Sequence, residues 1–145
     1  MKISTKGRYG LRAMLDITQN YSGKPVSVKD IAKRQEISEI YLQQIFSILK
    51  KAKLVQSFKG SNGGYLLTDT PSKISVKAVL EVLEGELSVT DDKGKKQAGI
   101  QAFLYETLLR EIDEKVITLM ENTTLQKLID EYNEKGNEIS TMYYI

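Results

Sequence analysis

The side chains available for chemistry in this 145-residue chain are carboxylates, lysines, arginines, tyrosines, hydroxyls and amides, because the sequence contains neither Cys nor His. A nucleophilic thiol, a Ser–His or Cys–His pair, a thiolate or imidazole metal site and a cysteine-held iron–sulfur cluster therefore all lack their atoms. Asp16, Asp30, Asp91 and Asp92 form no spaced pair in a recognisable loop. We therefore expect no enzymatic activity, no cofactor and no metal site.

The charge is divided unequally between the two halves of the chain. Residues 1–75 hold 13 Lys and Arg against 5 Asp and Glu, whereas residues 76–145 hold 8 against 14. This asymmetry favours a first half that faces a polyanion. Charge alone leaves open the alternative that these side chains only hydrate the surface. The secondary structure that carries them is needed to choose between the two interpretations.

Three helices are predicted in the basic half. Apolar residues at helical spacing follow the capping residue Ser4 or Thr5 and predict a helix to about Tyr21. A capping pair, Ser27 and Asp30, opens a short second helix. A third helix is predicted over residues 38–52, after a turn at residues 35–37. Two helices joined by so short a turn are the layout of a helix-turn-helix.

A β-hairpin is predicted directly after the third helix. Residues 54–58 and 65–68 have strand composition, and the turn over residues 59–64 contains Asn-Gly-Gly, which tolerates positive φ. The predicted fold class is therefore mainly α with a small β-hairpin wing (α+β), a winged helix-turn-helix over residues 1–85.

The acidic half is predicted to be helical. Ser75 caps a fourth helix, residues 86–97 form a polar connector, and residues 98–135 form the dimerisation helices, followed by a tail over residues 136–145. The first of these helices, of ~35 Å, is too long to be buried by this small fold alone. Its apolar stripe is the candidate dimer surface, with packing inside one chain as the alternative: Ile100, Phe103, Leu104, Leu108, Ile112, Val116, Leu119 and Met120.

Four stretches of the sequence resemble the Rrf2 (Rrf-two) family of bacterial winged-helix transcription regulators. They are MKISTKGRYGLRAMLDI at the start, SVKDIA, SEIYLQQI, and LVQSFKGSNGGYLLTDTPSKIS, whose wing motif over residues 59–67 is highly specific. Glu121-Asn122-Thr123-Thr124-Leu125 resembles the junction after that family's dimerisation helix. The resemblance implies a DNA-binding repressor that acts as a homodimer.

Two departures from the family pattern matter. Many members hold an iron–sulfur cluster through three cysteines before the long helix, where residues 85–99 contain none. Members often have Gly after the third helix, where this chain has Lys53. The chain is most similar to the cysteine-free branch of the family, which includes a repressor of cysteine metabolism.

A winged helix-turn-helix places the N-terminal part of its third helix against base edges in double-stranded DNA. Gln43 is predicted to read a base, Tyr41 to contact DNA or pack on the hairpin, and Leu42, Ile45 and Leu49 to lie in the core. The Lys50, Lys51 and Lys53 run is predicted to be a solvated face. The predicted DNA-binding residues are Ser4, Thr5, Lys6, Arg8, Lys29, Ser38, Glu39, Tyr41, Gln43, Gln44, Lys59, Ser61, Asn62, Gly63 and Gly64.

The controlling signal is open at this stage. The resemblance to the cysteine-metabolism branch implies a cysteine synthase (O-acetylserine sulfhydrylase) partner. That enzyme's acyltransferase partner inserts a C-terminal Ile carboxylate into its active site, so Tyr143, Tyr144 and Ile145 are the candidate partner-binding tail. A tail that packs on its own dimer or is disordered, direct response to an unknown small molecule, and a winged-helix protein-interaction module remain alternatives. No apolar run suggests a signal peptide or a membrane span, so we expect a cytoplasmic protein.

Overall fold

The computed structural model describes residues 1–90, 96 and 98–144, and of residues 137–144 the backbone alone. The following bounds define the elements: α1 (Thr5–Gln19), α2 (Val28–Gln35), α3 (Glu39–Lys51), β1 (Val55–Phe58), β2 (Gly64–Leu67), a 3₁₀ turn (Pro71–Lys73), α4 (Val76–Glu84), α5 (Gly99–Leu104), a π-helical turn (Tyr105–Leu109), α6 (Arg110–Asn122) and α7 (Leu125–Tyr144). The predicted fold class is confirmed.

Serine side chains begin the helices of the first half, as the sequence predicts. The Ser27 and Ser75 hydroxyls accept hydrogen bonds from the backbone N–H groups of Asp30 and Ala78, at 3.1 and 3.0 Å. These bonds satisfy donors that a helix N-terminus otherwise leaves unpaired. Each cap therefore fixes where its helix starts and how its apolar side is turned.

One apolar core joins α1 to α4 and the hairpin. Met14, Leu42, Ile45, Phe46 and Leu49 are all completely buried in it. The core also receives the stacked rings of Phe46 and Tyr65, whose centroids are 4.4 Å apart. The hairpin is thereby held against α3, and the expectation that Leu42, Ile45 and Leu49 are core residues is confirmed.

Two non-glycine residues with positive φ end the helices of the helix-turn-helix. Glu36, at φ 55°, follows α2. Lys53, at φ 60°, follows α3, and the N–H groups of Lys53 and Leu54 donate to the carbonyls of Lys50 and Leu49 at 3.0 Å each. This is a Schellman motif, in which glycine is the usual residue. Lys53, where family members often have Gly, therefore adopts a left-handed conformation that is strained for a residue with a Cβ.

The wing is part of a small sheet with one strand position that the sequence did not indicate. β1 and β2 pair antiparallel, with Val55 opposite Leu67 and Phe58 opposite Gly64. Val26 pairs with Tyr65 on the other side of β2 through two backbone hydrogen bonds of 3.0 and 2.8 Å. Gly64 has φ 151°, and a Cβ there would overlap the Val26 carbonyl. Glycine is therefore required for this close approach.

The beginning of the connector packs against α6. Leu87 is buried with Leu80 and Met120 in a second apolar cluster. The buried Asp113 carboxylate accepts hydrogen bonds from the Ser88 hydroxyl at 2.7 Å and the Val89 N–H at 2.6 Å. The first residues of the predicted polar connector therefore include one buried apolar side chain and are hydrogen-bonded to α6.

The acidic half differs from its prediction in two further ways. A π-helical turn interrupts the long helix, which otherwise runs from Gly99 to Asn122 as predicted. The last helix continues through Gly136 to Tyr144, so the predicted tail after residue 135 is wrong for the residues that the structure describes. Gly136 is buried against the Tyr132 ring, which leaves no room for a Cβ. Within the described residues, no helix is long and apolar enough to cross a membrane.

Candidate nucleic-acid interface

The α3 helix has one side in the core and the other in solvent. Glu39, Gln43, Gln44 and Ser47 are exposed, whereas Leu42, Ile45 and Phe46 on the opposite side are completely buried. Ser38 caps the helix by accepting from the Tyr41 N–H at 3.3 Å. A carboxylate and two amides thus occupy the exposed first two turns of a rigidly packed helix, which is the arrangement needed to reach base edges.

The Tyr41 side chain packs on α1. Its ring meets the Tyr9 ring edge to face, with centroids 5.7 Å apart and planes at 79°. The Arg12 guanidinium lies over the other ring of this pair, 5.1 Å from the Tyr9 centroid. This contact brings the first half of α1 alongside the first turn of α3.

The predicted phosphate-binding residues at the start of α1 differ in how free their side chains are to meet DNA. The Ser4 hydroxyl donates to Glu84 at 2.7 Å and accepts from the Gly7 N–H at 3.2 Å, so its one O–H donor is used inside the chain. Arg8 is exposed and donates to the Thr5 hydroxyl at 3.2 Å, and Lys6 is half-buried. The two cations and the helix N-terminus share this end of α1, which favours an anion nearby.

A buried carboxylate on α1 fixes the position of α2, and the sequence prediction did not identify this role. Asp16 is 3% exposed and accepts a bidentate pair of hydrogen bonds from Arg34, at 3.0 and 2.8 Å, and one from Gln35 at 2.9 Å. The hydrogen bond to Asp16 raises the pKa of Arg34. Arg12 in turn donates to the side chain and the backbone carbonyl of Gln35.

This cluster of Arg12, Asp16, Arg34 and Gln35, here called the α1–α2 clamp, orients the helix-turn-helix. A signal for it does exist in the sequence. Asp16 lies within the apolar stripe of α1, between residues that are buried, and a buried carboxylate requires a cationic or hydrogen-bonding partner. The partner stands 18 residues later, at the end of α2.

The wing tip presents exposed polar groups between the strands. Lys59, Ser61 and Asn62 are all exposed. The Gly63 N–H donates to the Gly60 carbonyl at 3.0 Å and so closes the turn. The prediction that the Gly63 N–H donates to a phosphate is therefore wrong. Gly64 is required instead for the close approach of β2 to Val26.

The other basic residues of the first half lie on the surface. Lys29 is exposed on the first turn of α2. Lys50, Lys51 and Lys53 are exposed at the C-terminal end of α3, where cations complement the helix dipole. The prediction that this run of three is a solvated face agrees with its exposure.

The apolar stripe of the long helix is largely exposed. Six of its side chains are between 37% and 79% exposed: Ile100, Phe103, Leu104, Leu108, Ile112 and Leu119. Val116 is half-buried, and Met120 is only 7% exposed because it packs on Leu80 and Leu87 of its own chain. The assignment of Met120 to a dimer surface is therefore wrong: Met120 anchors α6 to α4 and to the start of the connector.

The two halves are also joined at the junction before α7. The Val76 N–H donates to the Thr123 carbonyl at 2.8 Å, and the Leu125 N–H donates to the Ile74 carbonyl at 3.0 Å. Lys77 forms an ion pair with Glu121 at 2.7 Å. Residues 121–125, which carry part of the family resemblance, thus tie the long helix to the winged domain.

Of the candidate tail, the backbone of Tyr143 and Tyr144 is helical. Ile145 lies outside the described residues, as do Asp91 and Asp92.

Comparison with known proteins identifies the class of this winged-helix chain. A model of the Rrf2 family, described as iron-dependent transcriptional regulators, matches residues 3–131. The HTH-type transcriptional regulator IscR of Yersinia enterocolitica is 39% identical over 131 residues, which cover 90% of this chain and 80% of IscR.

Solved structures agree with this class. CymR of B. subtilis, the global cysteine regulator, superposes with a TM-score of 0.80 at 35% identity, covering 90% of this chain and 98% of CymR. IscR of T. potens has a TM-score of 0.72 at 37% identity, covering 92% and 90% of the two chains. The chain belongs to the Rrf2 family of transcriptional regulators, and it is a regulator rather than an enzyme.

The iron dependence in the family's description does not fit the residues of this chain. Cysteine thiolates and histidine imidazoles, the ligands of iron–sulfur clusters, are absent from the whole sequence. Among the residues that the structure describes, no group of three or more acidic side chains could hold a metal ion. The donor set for such a cluster is therefore missing.

Proposed function

We propose that this protein is a sequence-specific DNA-binding repressor that binds a palindromic operator as a homodimer, without an iron–sulfur cluster. The exposed polar side of α3, on a helix whose opposite side is completely buried, carries the proposal. Gln43 suits adenine because its amide can donate to N7 and accept from the N6 amino group. Glu39 and Gln44 flank it on the same exposed side.

Phosphate contacts supply most of the affinity in this proposal. Lys6 and Arg8 at the start of α1, Lys29 on α2 and Lys59 in the wing are the cations assigned to the backbone. The α1–α2 clamp supports the assignment, because it holds α1 and α2 in one orientation relative to each other. These contacts set the register in which α3 meets the bases.

A second copy of the chain is part of the proposal. One winged helix with a few phosphate contacts binds weakly, whereas a dimer places two recognition helices on successive turns of the duplex. The exposed side chains from Ile100 to Leu119 are assigned to the surface between the two copies. Such a large exposed apolar area is typical of an interaction site.

Selection of DNA from a random pool by the purified protein, at near-physiological ionic strength, tests this function. We expect one palindromic site whose half-sites are about one helical turn apart. The complex should contain two chains for each duplex when it is weighed in solution. A protein that prefers no sequence, alone or with the partner named below, would overturn the proposal.

We further propose that a cysteine synthase partner controls DNA binding by this protein in the cytoplasm. The support for this control is the likeness to CymR, the global cysteine regulator of B. subtilis, and its candidate contact is the segment from Tyr143 to Ile145. The selection is repeated with cysteine synthase, with O-acetylserine, and with both. Deletion of Tyr143 to Ile145 should abolish binding of the enzyme. Unimpaired binding by the truncated protein, or none by the intact one, would dispose of the tail assignment.

A further inference from the structure

Ile40 has an unusual environment on the α3 helix. It is the second residue of the helix and is 71% exposed, the largest exposed fraction of any large apolar side chain in residues 1–90. Gln43 and Gln44, one turn further on, are exposed on the same side. The apolar residues that hold the helix in the core, from Leu42 onward, are turned the other way.

The packing of the winged domain gives no reason for an apolar residue at this position. Ile40 belongs to neither apolar cluster, and a β-branched residue slightly lowers the helix propensity of the first turn. Single exposed apolar side chains are common on protein surfaces, so exposure alone would carry no conclusion. The position of Ile40 does support a conclusion, because Ile40 is next to the Gln43 and Gln44 amides, which are proposed to contact bases.

The major groove offers one apolar group to such a side chain, the C5 methyl group of thymine. A carboxylate or an amide gains little from a methyl group, whereas an isoleucine buries it and is itself buried. We propose that Ile40 packs on a thymine methyl group in each half-site, adjacent to the base pair that Gln43 reads. This inference rests on the proposed function, since it requires that α3 enters the major groove.

Replacement of thymine by deoxyuridine in the selected operator tests the contact, because the change removes the methyl group and leaves base pairing intact. Each thymine of a half-site is replaced in turn, symmetrically in both halves. We expect one position at which the wild-type protein loses about fourfold in affinity per half-site, the equivalent of one buried methyl group. Ile40→Ala should bind the thymine and uracil duplexes equally at that position.

Two further variants complete the design. Ile40→Val keeps a branched side chain and should keep most of the discrimination. Tyr21→Ala removes an apolar side chain that is 63% exposed after α1, away from α3, and should discriminate as the wild type does. Thermal unfolding of all variants checks that they are folded, which is expected because both positions are exposed.

The outcomes separate the inference from the function on which it rests. A selected operator with no methyl-sensitive thymine, or with a sensitivity that survives in Ile40→Ala, would overturn the role of Ile40 and leave the repressor proposal standing. Failure to select any operator would overturn both.

Discussion

Residues 1–85 and the long helix of residues 99–122 differ in how far their large apolar side chains are buried. In the first region, side chains such as Leu42, Phe46 and Leu49 are completely buried in one core. In the second, Ile100, Phe103 and four other members of the stripe are exposed. The first region therefore satisfies its own packing, whereas the second leaves an apolar surface for something else to cover.

Polar groups show the same contrast. The buried carboxylate of Asp16 is fully engaged by Arg34 and Gln35 inside the winged domain. On the outward side of the long helix, exposed ion pairs link neighbouring turns, such as Arg110 with Glu106 at 3.1 Å. Exposed pairs of this kind contribute little to stability. The comparison shows that the winged domain is fixed internally, and it supports the proposal that a second copy stabilises the long helix.

The largest effect is expected from a charge placed in the apolar stripe. Leu108→Lys should separate the dimer, because burying an unpaired ammonium group between two copies is costly. Loss of the second copy should reduce operator affinity about a thousandfold, within the range by which two linked sites exceed one. Sedimentation and operator titration measure the two quantities.

Glu114→Lys is the matched control, since it places the same residue about 120° around the helix from Leu108. Glu114 is exposed and its only described ion pair is a surface contact of 3.7 Å with Arg110. The Glu114→Lys variant should remain dimeric and bind the operator. A monomeric wild-type protein at micromolar concentration that binds DNA tightly would remove the contrast between the two regions.

A smaller effect is expected from breaking the α1–α2 clamp. Arg34→Ala leaves the Asp16 carboxylate buried with Gln35 as its remaining partner in the clamp, and should lower the free energy of unfolding by about 2 kcal/mol. This value lies below that of a fully buried pair, because the Arg34 side chain is 38% exposed. Urea unfolding measures it. The neighbouring exposed Lys33→Ala should change stability by less than about 0.5 kcal/mol, and equal losses in the two variants would argue against the clamp.

Local features of the fold could be predicted from the sequence. The caps at Ser27 and Ser75 depend on residue type and on the first turn that follows, and both are present in the structure. The hairpin followed from its turn residues, and the buried side of α3 followed from its apolar spacing. In each case a short stretch of chain contains the whole physical cause.

Features that depend on contacts between distant residues could not be predicted in this way. Val26 adds a third strand position through a single pair with Tyr65, and one residue has no periodicity. Met120 belongs to the stripe by spacing, yet Leu80 and Leu87 cover it. Gly136 reads as the end of a helix, but contact with Tyr132 accommodates it within α7. The same limit applies to the clamp, whose members lie on two different helices.

Within the winged domain, Gln43→Ala separates base reading from general affinity. Loss of one bidentate contact should cost about 1–3 kcal/mol at one base pair of each half-site and leave non-specific binding unchanged. Binding of operators substituted at every position measures this change. Ser47→Ala, on the same exposed side one turn later, is the control and should keep the wild-type preference at that base pair. A uniform loss across all sequences would indicate that Gln43 contacts the backbone.

The smallest effect is expected from the wing. Lys59→Ala should weaken binding to all sequences alike, because an exposed lysine at the wing tip neutralises a phosphate without reading a base. Each lost phosphate contact lowers the slope of the logarithm of affinity against the logarithm of salt concentration by about one unit per subunit. Lys24→Ala, an exposed lysine in the turn after α1, should leave that slope unchanged. A slope that Lys59→Ala does not alter would mean that the wing tip stays clear of the duplex, and that α1, α2 and α3 alone position the winged domain on DNA.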